Sequence, residues 1–183
     1  MDTRRIVFSG SGGQGIITAA IILAESAAIH EGLNAVQTQA YGPEARGGAS
    51  RADVVISTGP IHYPKVIHPH ILICLTQSAY DRFSPIIRPG GLLITDNRYV
   101  KPQRKVAARQ EGLDMFQAVM DRIGKPVVFN ICVLGALIGM TGLVRPGSVL
   151  TVLEKRVPPE FLDINREALE TGLALSGERP GRP

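Results

Sequence analysis

The sequence predicts an α/β fold: helices around a mostly parallel sheet, followed by a helical C-terminal third. Three observations carry this. Between Arg5 and Gln39 an apolar run, a glycine turn, a helical repeat and a second strand-like run follow one another. Compact apolar runs at residues 71–75 and 92–96 are separated by a helical pattern, as in strand–helix–strand units. Beyond residue 113 the periodicity is helical throughout.

Residues 5–9, RIVFS, read as a short buried strand, and Gly10, Gly12 and Gly15 follow it. Ile16, Ile17, Ala20, Leu23, Ala24 and Ala27 then recur at helical spacing as far as His30, with Gly32 placed to cap the helix. Residues 34–39 are a second strand, so the segment reads as a βαβ unit. Residues 41–48 form a loop rich in Gly and Pro. Residues 50–57 alternate, with Ala52, Val54 and Ile56 on one face of a strand. After the strand at 71–75, residues 78–87 read as a helix that ends before the Pro89-Gly90-Gly91 turn. Residues 92–96 are again a strand, 105–108 an edge strand, and 113–123 an amphipathic helix. Residues 130–140 are a nearly all-apolar helix carrying Gly135 and Gly139. Its burial in the core is favoured over a subunit seam, and the two can coexist. Residues 148–156 and 160–175 are two more helices, parted by Pro158 and Pro159. No repeat and no linker divides the chain. Residues 1–176 are therefore read as one domain, and residues 177–183, GERPGRP, as a disordered tail.

Composition narrows the function. The 183 residues suit a single domain. Aromatics are 5% and Trp is absent, so the core is built from Ile, Leu, Val and Ala. A net charge of +4, with Arg the main basic residue, favours an anionic ligand or an acidic partner. No basic run is interleaved with aromatics, so nucleic acid is not indicated. Cys74 and Cys132 each sit in an apolar run, read as small core residues in a reducing, cytoplasmic setting. The N-terminus enters a strand at once, without the pattern of a signal peptide. The longest apolar stretch, residues 127–144, falls short of the roughly 20 residues a span needs and contains Asn130 and Thr141; no membrane is expected.

Gly10, Gly12 and Gly15 fit G-x-G-x-x-G after a strand and at a helix start, where free N–H groups meet an anion. A dinucleotide site also wants an acid at the end of the second strand, for the ribose. Here that strand ends Gln37-Thr38-Gln39, with no Arg before Arg46. Three readings stay open: a nucleotide, a close helix–strand crossing, and another anion or a partner surface. No Gly-Lys-Ser/Thr follows, so a Walker A loop is excluded. Ser9 and Ser11 would be nucleophiles only beside a base, and none is paired with them in the sequence. His68, His70 and Cys74 lack a nearby carboxylate and read as loop and core residues rather than a metal set. His62 and Tyr63 sit in a short turn open to a partner, and Asp96-Asn97 reads as a turn signal.

The loop YGPEARGG is more informative. Glu44 and Arg46 are fenced by Gly42, Pro43, Gly47 and Gly48 at the carboxyl end of the second strand, the edge where open α/β sheets bind ligands. Arg46 can fork onto a carboxylate or a phosphate. Glu44 can hold Arg46 or a group on another chain. The plainer reading is a turn with a surface ion pair.

GSGGQGIITAA together with QAYGPEARGGASRADVVIS closely resembles the gamma subunit of 2-oxoacid:ferredoxin oxidoreductases. The likeness continues through PIHYPKVIHPHILICLTQSAYDRF, RPGGLLITD and the helical end, from Arg5 to about Gly172. The Tyr41-Gly42-Pro43-Glu44 form looks most like the 2-oxoglutarate type, with pyruvate, branched-chain and indolepyruvate types open. The resemblance implies a Rossmann-like, three-layer domain within an enzyme that oxidatively decarboxylates a 2-oxoacid, passes electrons to ferredoxin and makes an acyl-coenzyme A. It implies thiamine diphosphate, Mg2+, iron–sulfur clusters and coenzyme A in the holoenzyme. It implies alpha and thiamine-binding beta subunits as partners, often with a small ferredoxin-like delta subunit. It also implies that this chain helps to form the coenzyme A side of the active site. Gly10, Gly12, Gly13, Gln14, Gly15, Tyr41, Glu44, Arg46, Gly47 and Gly48 are then the candidate binding set, with no catalytic residue and no metal ligand. The chain lacks a Gly-Asp-Gly thiamine motif and has only two Cys, so alone it is expected to hold neither cofactor and to be inactive. A stand-alone dinucleotide-binding oxidoreductase and an anion- or effector-binding module are the alternatives.

Overall fold

The computed structural model describes residues 3–39, 49–103 and 105–177. Among these residues six strands form one sheet: β1 (Arg4–Gly10), β2 (Asn34–Gln39), β3 (Ser50–Ser57), β4 (Ile71–Cys74), β5 (Leu92–Asp96) and β6 (Arg109–Leu113). Their order is β2-β3-β1-β4-β5-β6. β1, β4, β5 and β6 pair in parallel, whereas β3 is antiparallel to both β1 and β2. Five strands therefore run one way and β3 runs against them. The described residues also form six α-helices: α1 (Ile16–Glu25), α2 (Gln77–Phe83), α3 (Met115–Arg122), α4 (Phe129–Thr141), α5 (Pro146–Arg156) and α6 (Pro159–Gly177).

The mostly parallel sheet with a helical C-terminal third is as expected. The expected βαβ unit is present with one correction, that it is split. β2 runs parallel to β1, but β3 lies between them. The reason is burial. β3 turns Ala52, Val54 and Ile56 into one core and Val55 into the other, so it needs cover on both faces and takes an interior place. β2 carries Gln37, Thr38 and Gln39 and suits the edge. A second correction concerns the last strand. It spans Arg109–Leu113 rather than residues 105–108, and α3 begins only at Met115. RQEGL has no apolar alternation to reveal it. Its register is set by backbone pairing with β5, from Leu92 opposite Arg109 to Asp96 opposite Leu113. At the C-terminus, Gly177 is the last residue of α6, and the remainder of the expected tail, residues 178–183, lies outside the described residues.

Alternation divides the sheet into two faces. Ile6 and Phe8 of β1 join α1 and the C-terminal helices in the larger core, while Val7 joins Leu72, Leu93 and α2 in the smaller one. Three layers result. Asp96, fully buried, accepts from the N–H groups of Arg98 at 2.9 Å and Phe116 at 2.8 Å, so this carboxylate organises the turn into α3. Burial raises its pKa, and the two N–H groups oppose that rise.

α4 is apolar on every side and is buried accordingly. Its partner is α6, and the two backbones touch. A Cβ at Gly172 would lie 2.7 Å from Ala136 N and 2.9 Å from the carbonyl carbon of Cys132. Gly135 lies against the backbone of Leu169 in the same way, and Gly139 makes room for the Ser176 side chain of α6. The small residues thus serve an intramolecular crossing in the core. No helix among the described residues is long and apolar enough to cross a membrane.

This crossing makes a sharp forecast. Gly172→Ala sets a methyl against two backbone atoms that cannot rotate away, and should lower unfolding free energy by about 1–3 kcal/mol. Gly147→Ala, in the first turn of α5 with nothing within 4 Å, should be neutral or stabilise by up to about 1 kcal/mol. Urea melts of both variants check this; equal stability of the two would mean that the helices separate without cost.

Candidate functional site at the carboxyl edge of the sheet

β1 ends at Gly10, and the chain turns through residues 11–15 into α1. Gly13 and Gly15 hold φ values of +87° and +70°, which L side chains rarely adopt. Gly15 is the N-cap of α1, and its carbonyl accepts the first helical bond, from Ala19 N at 3.0 Å. Gln14 folds back over the turn. Its Oε1 accepts from Ser11 N at 2.8 Å and its Nε2 donates to Leu75 O, just past β4, at 3.2 Å. The side chain thereby spans the seam between β1 and β4. At that seam the chain order reverses, since α1 leaves toward β2 on one side and α2 toward β5 on the other.

The glycines divide into two kinds. A Cβ at Gly10 would meet Gln14 Oε1, and one at Gly15 would lie 2.7 Å from Asn130 Nδ2. Gly10 and Gly15 are needed for close packing. Gly12 and Gly13 face open space, with nothing within 4 Å of a Cβ at either. They present bare backbone at the start of a helix, where N–H groups have no intrahelical partner. Beside them runs a groove of about 340 Å³ between α1 and the starts of α4 and α6, walled by Thr18, Ile22, Ile131 and Ile164. Val127 and Phe161 stand at this groove with 72% and 42% of their surface exposed.

Sequence reasoning missed Asn130. It is buried near the start of α4, and its Nδ2 donates to Gly15 O at 3.3 Å, tying the glycine turn to the C-terminal helices. Its signal was visible: one amide in an otherwise apolar helix. Of the candidate set, Gly10, Gly12, Gly13, Gln14 and Gly15 come together as one turn. Tyr41, Glu44, Arg46, Gly47 and Gly48 lie outside the described residues. The strand ends that bracket them, Gln39 and Ser50, stand at this same edge, and Ser50 is the direct partner of Gly10.

The described part of the site can bind but holds no acid–base pair. Ser9 Oγ donates to Ile73 O at 2.6 Å and touches Cys74 Sγ at 3.4 Å, so it is tied into the sheet. Dinucleotide chemistry finds little purchase, because the inserted β3 moves the end of β2 about 10 Å from β1, two strand spacings. No group of three His, Cys, Asp or Glu among the described residues could hold a metal. The two cysteines lie in different cores, Cys74 on one side of the sheet and Cys132 on the other. Burial pushes both thiols up to about 12. Placed on opposite faces of the sheet, the two thiols cannot ligate one metal together.

A family profile described as "Pyruvate ferredoxin/flavodoxin oxidoreductase" matches residues 5–175. The chain belongs to this oxidoreductase family. It is 41% identical over 177 residues to the 2-oxoglutarate synthase subunit KorC of Methanocaldococcus jannaschii, covering 96% of this chain and 95% of that protein. Its fold matches the crystal structure of the keto/oxoacid ferredoxin oxidoreductase gamma subunit from Geobacter sulfurreducens, with a TM-score of 0.87, 36% identity, and coverage of 96% of this chain and 99% of that one. A 2-oxoglutarate:ferredoxin oxidoreductase from Magnetococcus marinus, solved with 2-oxoglutarate, coenzyme A and succinyl-CoA bound, shares the fold at a TM-score of 0.87 and 21% identity; the match takes in 98% of this chain and 32% of that longer one. Within the family, this chain is a gamma-type subunit, and its likeness to KorC is to the 2-oxoglutarate type.

The buried thiols make stability fall at alkaline pH. A raised folded-state pKa contributes stability that is complete below the unfolded value and lost as pH rises toward the folded one. Between about pH 8.5, where unfolded thiols ionise, and about 12, each buried Cys should remove about 1.4 kcal/mol of stability per pH unit. Cys74→Ala should flatten that alkaline slope by the share of one thiol. Denaturant titrations from neutral to alkaline pH measure it, and an unchanged slope would show that Cys74 ionises while folded.

Proposed function

We propose that this chain is the gamma subunit of a thiamine-dependent 2-oxoacid:ferredoxin oxidoreductase that converts 2-oxoglutarate to succinyl-coenzyme A in a reducing, cytoplasmic setting. In this reading it works as one domain over residues 1–176, joined to alpha and thiamine-binding beta subunits and, in some assemblies, a ferredoxin-like delta subunit. Ferredoxin takes the electrons from the holoenzyme. The chain contributes to assembly and to the coenzyme A side of the active site. The observation that carries this reading is the glycine turn. It offers open backbone at Gly12 and Gly13 and lacks an acid–base pair among its described residues, as befits a surface that completes a neighbour's site.

Thiamine diphosphate and iron–sulfur clusters do not fit this chain. Its two thiols are buried, protonated and on opposite faces of the sheet, and it has no Gly-Asp-Gly sequence. In the proposal those groups belong to the partner subunits, and the chain alone is inert. Coenzyme A fits better, with the Gly12–Gly15 turn and the Tyr41, Glu44, Arg46, Gly47 and Gly48 segment as the residues that would meet it. Bound there, coenzyme A supplies the thiol that accepts the acyl group. The role of this chain is to bind and orient. An exposed apolar rim at Val127 and Phe161 suits packing against another subunit.

Two measurements test this. The full-length chain, free of other subunits, should reduce no viologen dye with 2-oxoglutarate and coenzyme A, and oxoacid-dependent reduction by it would overturn the assignment. In the reconstituted complex, Arg46→Ala should weaken assembly or raise the KM for coenzyme A by about tenfold, from loss of a charge-assisted contact. Arg46→Lys should restore only part of it, because an ammonium cannot reproduce a planar fork. Wild-type assembly and kinetics in both variants would make Arg46 ordinary surface.

A further inference from the structure

The opposite, amino-terminal edge of the sheet gathers positive charge. Arg5 is the second residue of β1, His70 immediately precedes β4, and Arg88 lies shortly before β5. With Lys65 they line a cleft of about 550 Å³. Among the described residues no carboxylate pairs with Arg5, Lys65 or Arg88. The wall that carries Lys65 is anchored. Val66 is buried, its N–H donates to Asp53 Oδ2 at 3.1 Å, and its carbonyl accepts from Arg51, itself ion-paired with Asp53.

His70 adds an independent observation. Its Nδ1 accepts the backbone N–H of Arg5 at 3.1 Å. A ring nitrogen that accepts carries no proton, so the neutral ring is protonated on Nε2. Nε2 faces Arg88 Nη1, which also offers only protons. Two donors thus meet with no acceptor between them. The ring cannot escape by charging, because burial first, then Arg88, Arg4 and Arg5, hold its pKa below the ordinary value. An anionic oxygen that displaces the exposed end of Arg88 from His70 Nε2 and accepts from both removes the conflict.

We propose that this cleft binds the diphosphate group of a small molecule, with His70, Arg88, Arg5 and Lys65 as its donors. Three uncompensated cations exceed what one carboxylate neutralises, whereas a diphosphate brings both the charge and the several oxygens the donors need. Tyr63 and Ile67 flank the cleft, 53% and 60% exposed, and give a nucleoside a surface to lie against. The site stands at the other end of β1 from the glycine turn, roughly 20 Å along seven residues. It is independent of the function proposed above, and the outcome of either test leaves the other standing.

The test is calorimetric titration of the full-length chain with inorganic pyrophosphate and, separately, with ADP, alongside 15N spectra of the His70 ring. Saturable binding with Kd of about 1 mM or tighter is expected, together with a shift of the His70 Nε2–H signal. Arg88→Ala and Lys65→Ala should each weaken binding by about tenfold, and Arg122→Ala, a surface arginine of α3, should leave it unchanged. ADP binding tighter than pyrophosphate, and losing that advantage in Tyr63→Ala, assigns a nucleoside diphosphate; equal affinities assign the bare diphosphate. Absence of saturable binding, or equal weakening by Arg122→Ala, overturns the proposal. So does an Asp/Glu-rich peptide that binds where pyrophosphate does not, since that would make the cleft a protein contact.

Discussion

The contact of α4 with α6 is the constraint on which the rest of the molecule depends. α4 has no polar face, so it can exist only if covered all round, and Gly135 and Gly172 let the second helix come close enough to do that. The crossing fixes where α4 begins. There Asn130 reaches across to Gly15 and secures the turn that follows β1. The glycine turn is therefore held from two sides, by Asn130 from the helices and by Gln14 from the end of β4. Its open glycines are presented by a rigid frame, although the turn itself has little side chain with which to pack.

The inserted strand β3 decides what the carboxyl edge can be. In a two-stranded βαβ crevice, the end of the second strand stands beside the first glycine. Here Ser50 of β3 takes that place and β2 is displaced outward. The likeness to nucleotide-binding folds is then one of the turn and helix only. Among the described residues, what remains at the edge is backbone and a groove bordered by exposed Val127 and Phe161.

Charge is distributed along the strand axis in a way that composition does not suggest. A net charge of +4 is modest, yet Arg5, Lys65 and Arg88 share one cleft without a described carboxylate partner. Several other arginines are paired: Arg145 with Glu31, Arg156 with Glu25, Arg122 with Glu167. These pairs are surface contacts worth little individually.

Much of this was legible in the amino-acid order, because it depends on local pattern. Apolar runs marked β1, β4 and β5; helical periodicity marked α1 and the C-terminal helices; glycines after a strand marked the turn; and the absence of an acid after Gln37-Thr38-Gln39 already weakened the nucleotide reading. The alternation of Ala52, Val54 and Ile56 named the buried face of β3. Strand order was not legible, since nothing local in β2 or β3 says which of them stands next to β1; the need to bury both faces of β3 says so, and only against its neighbours. β6 was misplaced for the same reason, its residues being polar and its register set by β5. Arg5, Lys65, His70 and Arg88 are spread over more than eighty positions of the sequence, and only the parallel pairing of β1, β4 and β5 carries the residues at or before the starts of those strands to one edge. Patterns within reach of one turn or one strand were determined by the sequence alone; convergences across the sheet were decided by the tertiary structure, because burial and backbone pairing act between segments rather than within them.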